Sequence, residues 1–244
     1  MKGFFAALGF LTIIPAGVNA GDSESLRKSF RWFPAVGLLI GVGLASAYYA
    51  LNLALPPAPV AALIVVLMSA VSGGLHIDGL ADTADGLLSG APRERVIEIM
   101  KDSRSGAMAI FAVASVLIVK TTAITSLTAE WATTAILLAP LAGRIAIYNA
   151  MLCVPYVSGS GGLGHAFGAG GRRDKVASAT ILLAAGFIGA GISGILWAVS
   201  LYALWAIFSA WLVKRIGGMT GDNYGALCEI TETASLLFFA GVCR

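Results

Sequence analysis

Residues 176–214 read VASATILLAAGFIGAGISGILWAVSLYALWAIFSAWLVK, with no charged side chain before Lys214. As one straight helix this run would extend about 58 Å, nearly twice the ~30 Å hydrocarbon core of a bilayer. It therefore reads as two crossings, 176–194 and 196–214, with the reversal expected at Ser193-Gly194. Arg172, Arg173 and Lys175 precede the run, and Lys214 and Arg215 close it. Both ends thus return to one basic side, the pattern of a polytopic helical membrane protein.

The rest of the chain agrees. Mean hydropathy is +0.86, and of 244 residues 58% are hydrophobic and 12% charged. That is too little polar surface for a water-soluble fold of this size, and the continuous apolar runs suit helices rather than barrel strands. Further spans are expected at 33–54, 58–75, 106–128, 131–153 and 223–243. Residues 4–18 are apolar but short, and suit a half-helix, an interfacial helix, a true span or a cleaved signal ending at Val18-Asn19-Ala20. The fold class is all-α: a bundle of about seven transmembrane helices plus that N-terminal segment, with residues 1–244 forming a single integral membrane domain. With the N-terminus inside, 13 of the 16 basic residues fall on the cytoplasmic side, which is where the positive-inside rule puts them. A net charge of +3, dispersed along the chain, argues against nucleic acid as a partner, and no motif sets an oligomeric state. Cys153 and Cys228 lie in apolar runs and are expected to be buried thiols.

Acidic residues are scarce, 13 in all, yet Asp78, Asp82, Asp85 and Asp102 fall within 25 positions. On a helix the first three stand at i, i+4 and i+7 and project from one face. Like charges stacked near a membrane repel and are costly to desolvate, and a multivalent cation relieves both costs. Hard carboxylate oxygens select Mg²⁺, Mn²⁺ or Ca²⁺, and Mg²⁺ commonly shares one or two carboxylates with substrate phosphates. The reading is a catalytic cavity at the cytoplasmic side that handles a diphosphate. A solvated acidic helix end is the plain alternative.

Other polar residues could complete such a site. Arg104 begins a span, while Lys120 and Arg144 lie inside apolar runs and need a partner or a wet cavity. They fit phosphate binding, or else a private ion pair with a membrane acid. Gly217, Gly218, Thr220 and Gly221 form a turn ahead of a helix, whose backbone N–H groups suit an anion. Asp222 there is a metal ligand or a helix cap. Glu229 and Glu232 share a face and are expected to line the same polar cavity. His76 is a candidate ligand or phosphate contact, and Gly159–Phe167, with His165, reads as a mobile loop or a connector.

The stretch Gly73-Gly74-Leu75-His76-Ile77-Asp78-Gly79-Leu80-Ala81-Asp82-Thr83-Ala84-Asp85-Gly86 resembles the signature of the cobalamin synthase family, the adenosylcobinamide-GDP ribazoletransferases. The resemblance continues through Arg93-Glu94-Arg95, Lys101-Asp102-Ser103-Arg104, Lys120, Gly143-Arg144, Gly161-Gly162-Leu163-Gly164 and Gly217-Gly218-Met219-Thr220-Gly221-Asp222. It implies an Mg²⁺-dependent enzyme of the bacterial cytoplasmic membrane that joins adenosylcobinamide-GDP to alpha-ribazole or its 5′-phosphate and releases GMP. On that basis Asp78, Asp82, Asp85 and Asp102 are expected to hold Mg²⁺, and Arg104, Lys120, Arg144 and Glu229 to line the substrate site. The proton acceptor is then sought among Asp82, Asp85 and His76. A membrane prenyltransferase, which breaks C–O rather than P–O, and an ion-coupled transporter are the rival classes.

Overall fold

The computed structural model describes residues 2–16, 28–102, 104–157 and 171–242. The loop Gly159–Phe167 and His165 lie outside these described residues. In chain order the helices are α1 (Lys2–Leu11), α2 (Phe33–Asn52), α3 (Pro57–Ala70), α4 (Leu75–Leu88), α5 (Arg93–Met100), α6 (Ala107–Thr125), α7 (Ala129–Cys153), α8 (Arg172–Ile216) and α9 (Gly221–Val242). The all-helical expectation holds. Five of these are long and apolar enough to cross a membrane, or up to six if the bent pair α3–α4 counts as one span.

At the centre stands α7, whose apolar window is 83% buried. Small residues let α2 lie directly on it: a Cβ on Gly37 would fall 2.7 Å from the Pro140 carbonyl oxygen. Membrane helices associate through such close packing, because burial from water supplies little driving force there. On the opposite side α9 packs along α7 and reaches α4 and α6.

Two expected spans differ in detail. The run 58–75 is not one straight helix, because α3 stops at Ala70 and α4 leaves at 86° to it. Gly73 and Gly74 make this turn with φ of +62° and +79°, values that side chains resist. In α8 the helix breaks at Ala190 and Gly191, three residues before the expected Ser193-Gly194. Only Gly191, at φ +58° and ψ −132°, can adopt the reversing conformation. Beyond it the chain doubles back, so that the backbones of Gly186 and Gly194 touch. In a straight helix these two residues would stand about 12 Å apart.

The described part of the N-terminal segment forms α1, whose ten residues extend about 15 Å, half the hydrocarbon thickness. The Ile13 N–H then donates to the Val71 carbonyl at 2.9 Å, tying the stretch after α1 to the α3–α4 turn. Cys228 is buried as expected, but Cys153 is exposed, because it ends α7 on the helix's outer face.

Candidate active site

The Asp-bearing helix α4 meets the start of α9 at a contact between glycines. A Cβ on Gly79 would lie 2.7 Å from the Asp222 carbonyl oxygen, and one on Gly225 would lie 3.1 Å from that of His76. Because the backbones touch, Asp222 arrives beside the carboxylate face of α4. Asp78, Asp222 and Asp85 all lie close enough to Asp82 to act on its charge. Polar contacts fix the register: Asn223 Nδ2 donates to Thr83 Oγ1 at 3.0 Å. Thr220 caps α9, accepting the Asn223 N–H at Oγ1 (3.4 Å) while its own N–H donates to Asn223 Oδ1 (2.9 Å). Gly79→Val is therefore expected to lower stability by about 1–3 kcal/mol through overpacking. It should reduce turnover further than the unfolded fraction explains, since the Asp222 backbone must move away. Thermal melts alongside turnover in detergent check this.

Asp85 is engaged differently from its neighbours. Its two oxygens accept the backbone N–H groups of Gly106 and Ala109, the latter at 2.8 Å. It thus satisfies donors at the exposed N-terminus of α6, where a negative charge is favourable. Asp102 sits on the loop before α6 and pairs with Arg104 through contacts of 3.0 and 2.7 Å. Side-chain and backbone hydrogen bonds from Arg104 hold the Asp102 carboxyl down to about 2, so it stays ionised at any physiological pH. Arg104 is 87% exposed and faces solvent.

Lys120, Arg144, Glu229 and Glu232 come together in the interior, each no more than 2% exposed. Lys120 Nζ donates to Glu229 Oε2 and Glu232 Oε2, both at 2.7 Å. Arg144 Nη1 donates to Glu232 Oε1, and Nη2 lies 3.3 Å from His76 Nδ1. The Cys228 thiol points to Glu232 Oε1 at 3.7 Å. Two cations face two carboxylates, so the group is neutral as a whole. This is the private ion pairing that was the alternative to phosphate binding. Through His76, buried in the first turn of α4, it anchors the same helix that presents Asp78 and Asp82.

The glycine turn is largely structural. Gly217 ends α8 at φ +91°, and Arg93 Nη2 donates to the neighbouring Ile216 carbonyl at 3.1 Å. Gly218 abuts Pro155, and Met219 pairs with Tyr156 in a short parallel bridge. Gly221 is open and lines a cavity of about 160 Å³ together with Lys101, Tyr156, Thr220 and Asp222. Asp222, expected as a metal ligand or a helix cap, stands beside this cavity, and Lys101 is a residue there that the sequence reading omits. Nothing local signals Lys101, which reaches Asp222 only through the fold.

A cluster of carboxylates with Lys101 beside it, built where two membrane helices touch and flanked by cavities, defines a helical membrane protein equipped for an anionic substrate with its cation. The sequence comparisons are consistent with this. The chain matches the family described as cobalamin-5-phosphate synthase over residues 3–240, and it belongs to that family. A protein from Desulforamulus reducens is 42% identical over 93% of this chain and 91% of its own length. Relatives from Brevibacillus brevis (36%; 99% and 98%) and Pseudomonas fluorescens (42%; 97% and 98%) are covered almost completely. All three are named adenosylcobinamide-GDP ribazoletransferase. No solved structure matches the chain.

Proposed function

We propose that this chain is an adenosylcobinamide-GDP ribazoletransferase acting late in cobalamin biosynthesis. A ribose hydroxyl of alpha-ribazole or its 5′-phosphate attacks the phosphorus attached to cobinamide. A P–O bond forms, the P–O bond to GMP breaks, and the hydroxyl proton passes to a carboxylate. The observation that carries this reading is the gathering of Asp78, Asp82 and Asp222 where α4 and α9 touch.

Among the described residues no three His, Cys, Asp or Glu side chains converge closely enough to cage a cation alone. That fits Mg²⁺, which takes one or two carboxylates and completes its shell with phosphate oxygens and water. One or two of Asp78, Asp82 and Asp222 would hold it, since Asp85 and Asp102 have their oxygens engaged elsewhere. When bound, the ion would offset the diphosphate charge. Asp82 is assigned to accept the hydroxyl proton, because burial and then the neighbouring Asp78, Asp222 and Asp85 weigh against its charge, and neutralising it relieves both. Lys101 lies near Asp222 and can draw a phosphate toward the acidic face. Lys120, Arg144 and Glu229 act through α4 and α9, holding the two helices in register. The charge distribution supports a cytoplasmic N-terminus and site in the bacterial inner membrane.

The test uses purified protein in detergent with both substrates. GMP and adenosylcobalamin, or its 5′-phosphate, are expected in equal amounts. Turnover should fall to background with a chelator and return with Mg²⁺. Release of inorganic diphosphate, or turnover that ignores the chelator, contradicts the proposal.

A further inference from the structure

We infer that a groove beside Asp78 seats the corrin-bearing half of the activated substrate, an inference that rests on the function proposed above. The groove has a volume of about 970 Å³ and runs between α1, the α3–α4 turn and α6. Its lining mixes polar groups, Thr12, Ser72, Asp78 and Ser105, with apolar ones such as Phe10, Val113 and Leu117. A corrin ring is a broad macrocycle with apolar surface and a fringe of amides, so it calls for such a mixed lining. The phosphate chain hangs from the fringe, and Asp78 is the lining residue it would approach.

Size and placement exclude the reverse assignment. The other cavity at the carboxylates, lined by Asp222, Lys101 and Tyr156, holds about 160 Å³. Pockets for drug-sized ligands run from about 300 to 1,000 Å³, so a macrocycle fits only the groove. The smaller cavity suits one planar base, with the Tyr156 ring as a stacking face. Asp78 borders the groove and Asp222 borders the pocket. The two substrates thus reach the carboxylates from separate cavities.

The experiment measures equilibrium binding of cobinamide, which lacks the diphosphate, to the purified full chain in detergent, beside KM values for both substrates. Ala114 lines the groove, and Ala114→Phe fills it. This variant should weaken cobinamide binding and raise KM for adenosylcobinamide-GDP by about tenfold or more, with KM for alpha-ribazole unchanged. Val113→Ala, which cannot overpack, should shift the corrinoid values alone in the same direction. Ile118→Phe, on the exposed face of α6, should change neither. Wild-type protein that fails to bind cobinamide, or groove variants that bind it as wild type does, overturn the inference; the second result is expected if a lipid chain fills the groove. Cobinamide binding that is lost in Ala114→Phe, in a chain that releases no GMP, contradicts the proposed function and leaves the groove standing.

Discussion

Glu232→Ala lowers the stability of the detergent-solubilised protein by about 3–5 kcal/mol, the range for breaking a buried ion pair from one side. Glu232 is the shared acceptor of the interior network, taking Lys120 on one oxygen and Arg144 on the other. Its removal leaves two cations facing the single carboxylate of Glu229, in a region no more than 2% exposed. The net charge of the group changes from zero to +1, and the Arg144 guanidinium keeps only His76 among its described partners. Because His76 belongs to α4, the damage should spread to the carboxylate face and lower turnover as well. Removing a balanced pair has a different effect. Lys120→Leu combined with Glu229→Leu takes out one positive and one negative charge and leaves Arg144–Glu232 intact. This double variant should be much milder than the sum of its single changes, a coupling that a double-mutant cycle of melting curves reads directly. Additive losses would show that the four side chains do not act as a unit.

Much of this arrangement was legible in the chain. The 3.6-residue spacing of Asp78, Asp82 and Asp85 put them on one helix face, and it does so in α4. Lys120, Arg144, Glu229 and Glu232 stood out as charges within apolar runs, and such charges must find one another or water. Hydropathy could not show that α3 ends at Ala70, because the 86° turn there depends on two glycines adopting positive φ inside an otherwise apolar run. The reversal in α8 was expected at Ser193-Gly194, yet it lies at Gly191; any of several glycines satisfies composition, and Gly194 is used instead for the close contact with Gly186. The separate duties of the aspartates were also hidden. Spacing makes Asp85 equivalent to Asp82, and only the approach of α6 engages it with the Gly106 and Ala109 N–H groups. Likewise Asp222 joins Asp82 across 140 positions of sequence because Gly79 and Gly225 let two backbones touch.

The central claim is that the face of Asp78, Asp82 and Asp222 exists for chemistry and weakens the fold. Asp82→Asn keeps the size of the side chain and removes its charge. Three carboxylates act on Asp82, so losing that charge relieves repulsion, and the variant should melt at the same temperature as the parent or higher. A residue that stabilises nothing but enables turnover is the signature of a functional site. Loss of a proton acceptor typically costs about 10²–10⁴-fold in rate, and the amide is also a poorer partner for Mg²⁺. The decisive measurement is therefore the rate of GMP release by Asp82→Asn, paired with its melting temperature, against the unaltered chain. The account predicts a rate lowered by about 10²-fold or more with stability retained or improved. A rate near that of the parent, or one that falls only in step with the melting temperature, would contradict it.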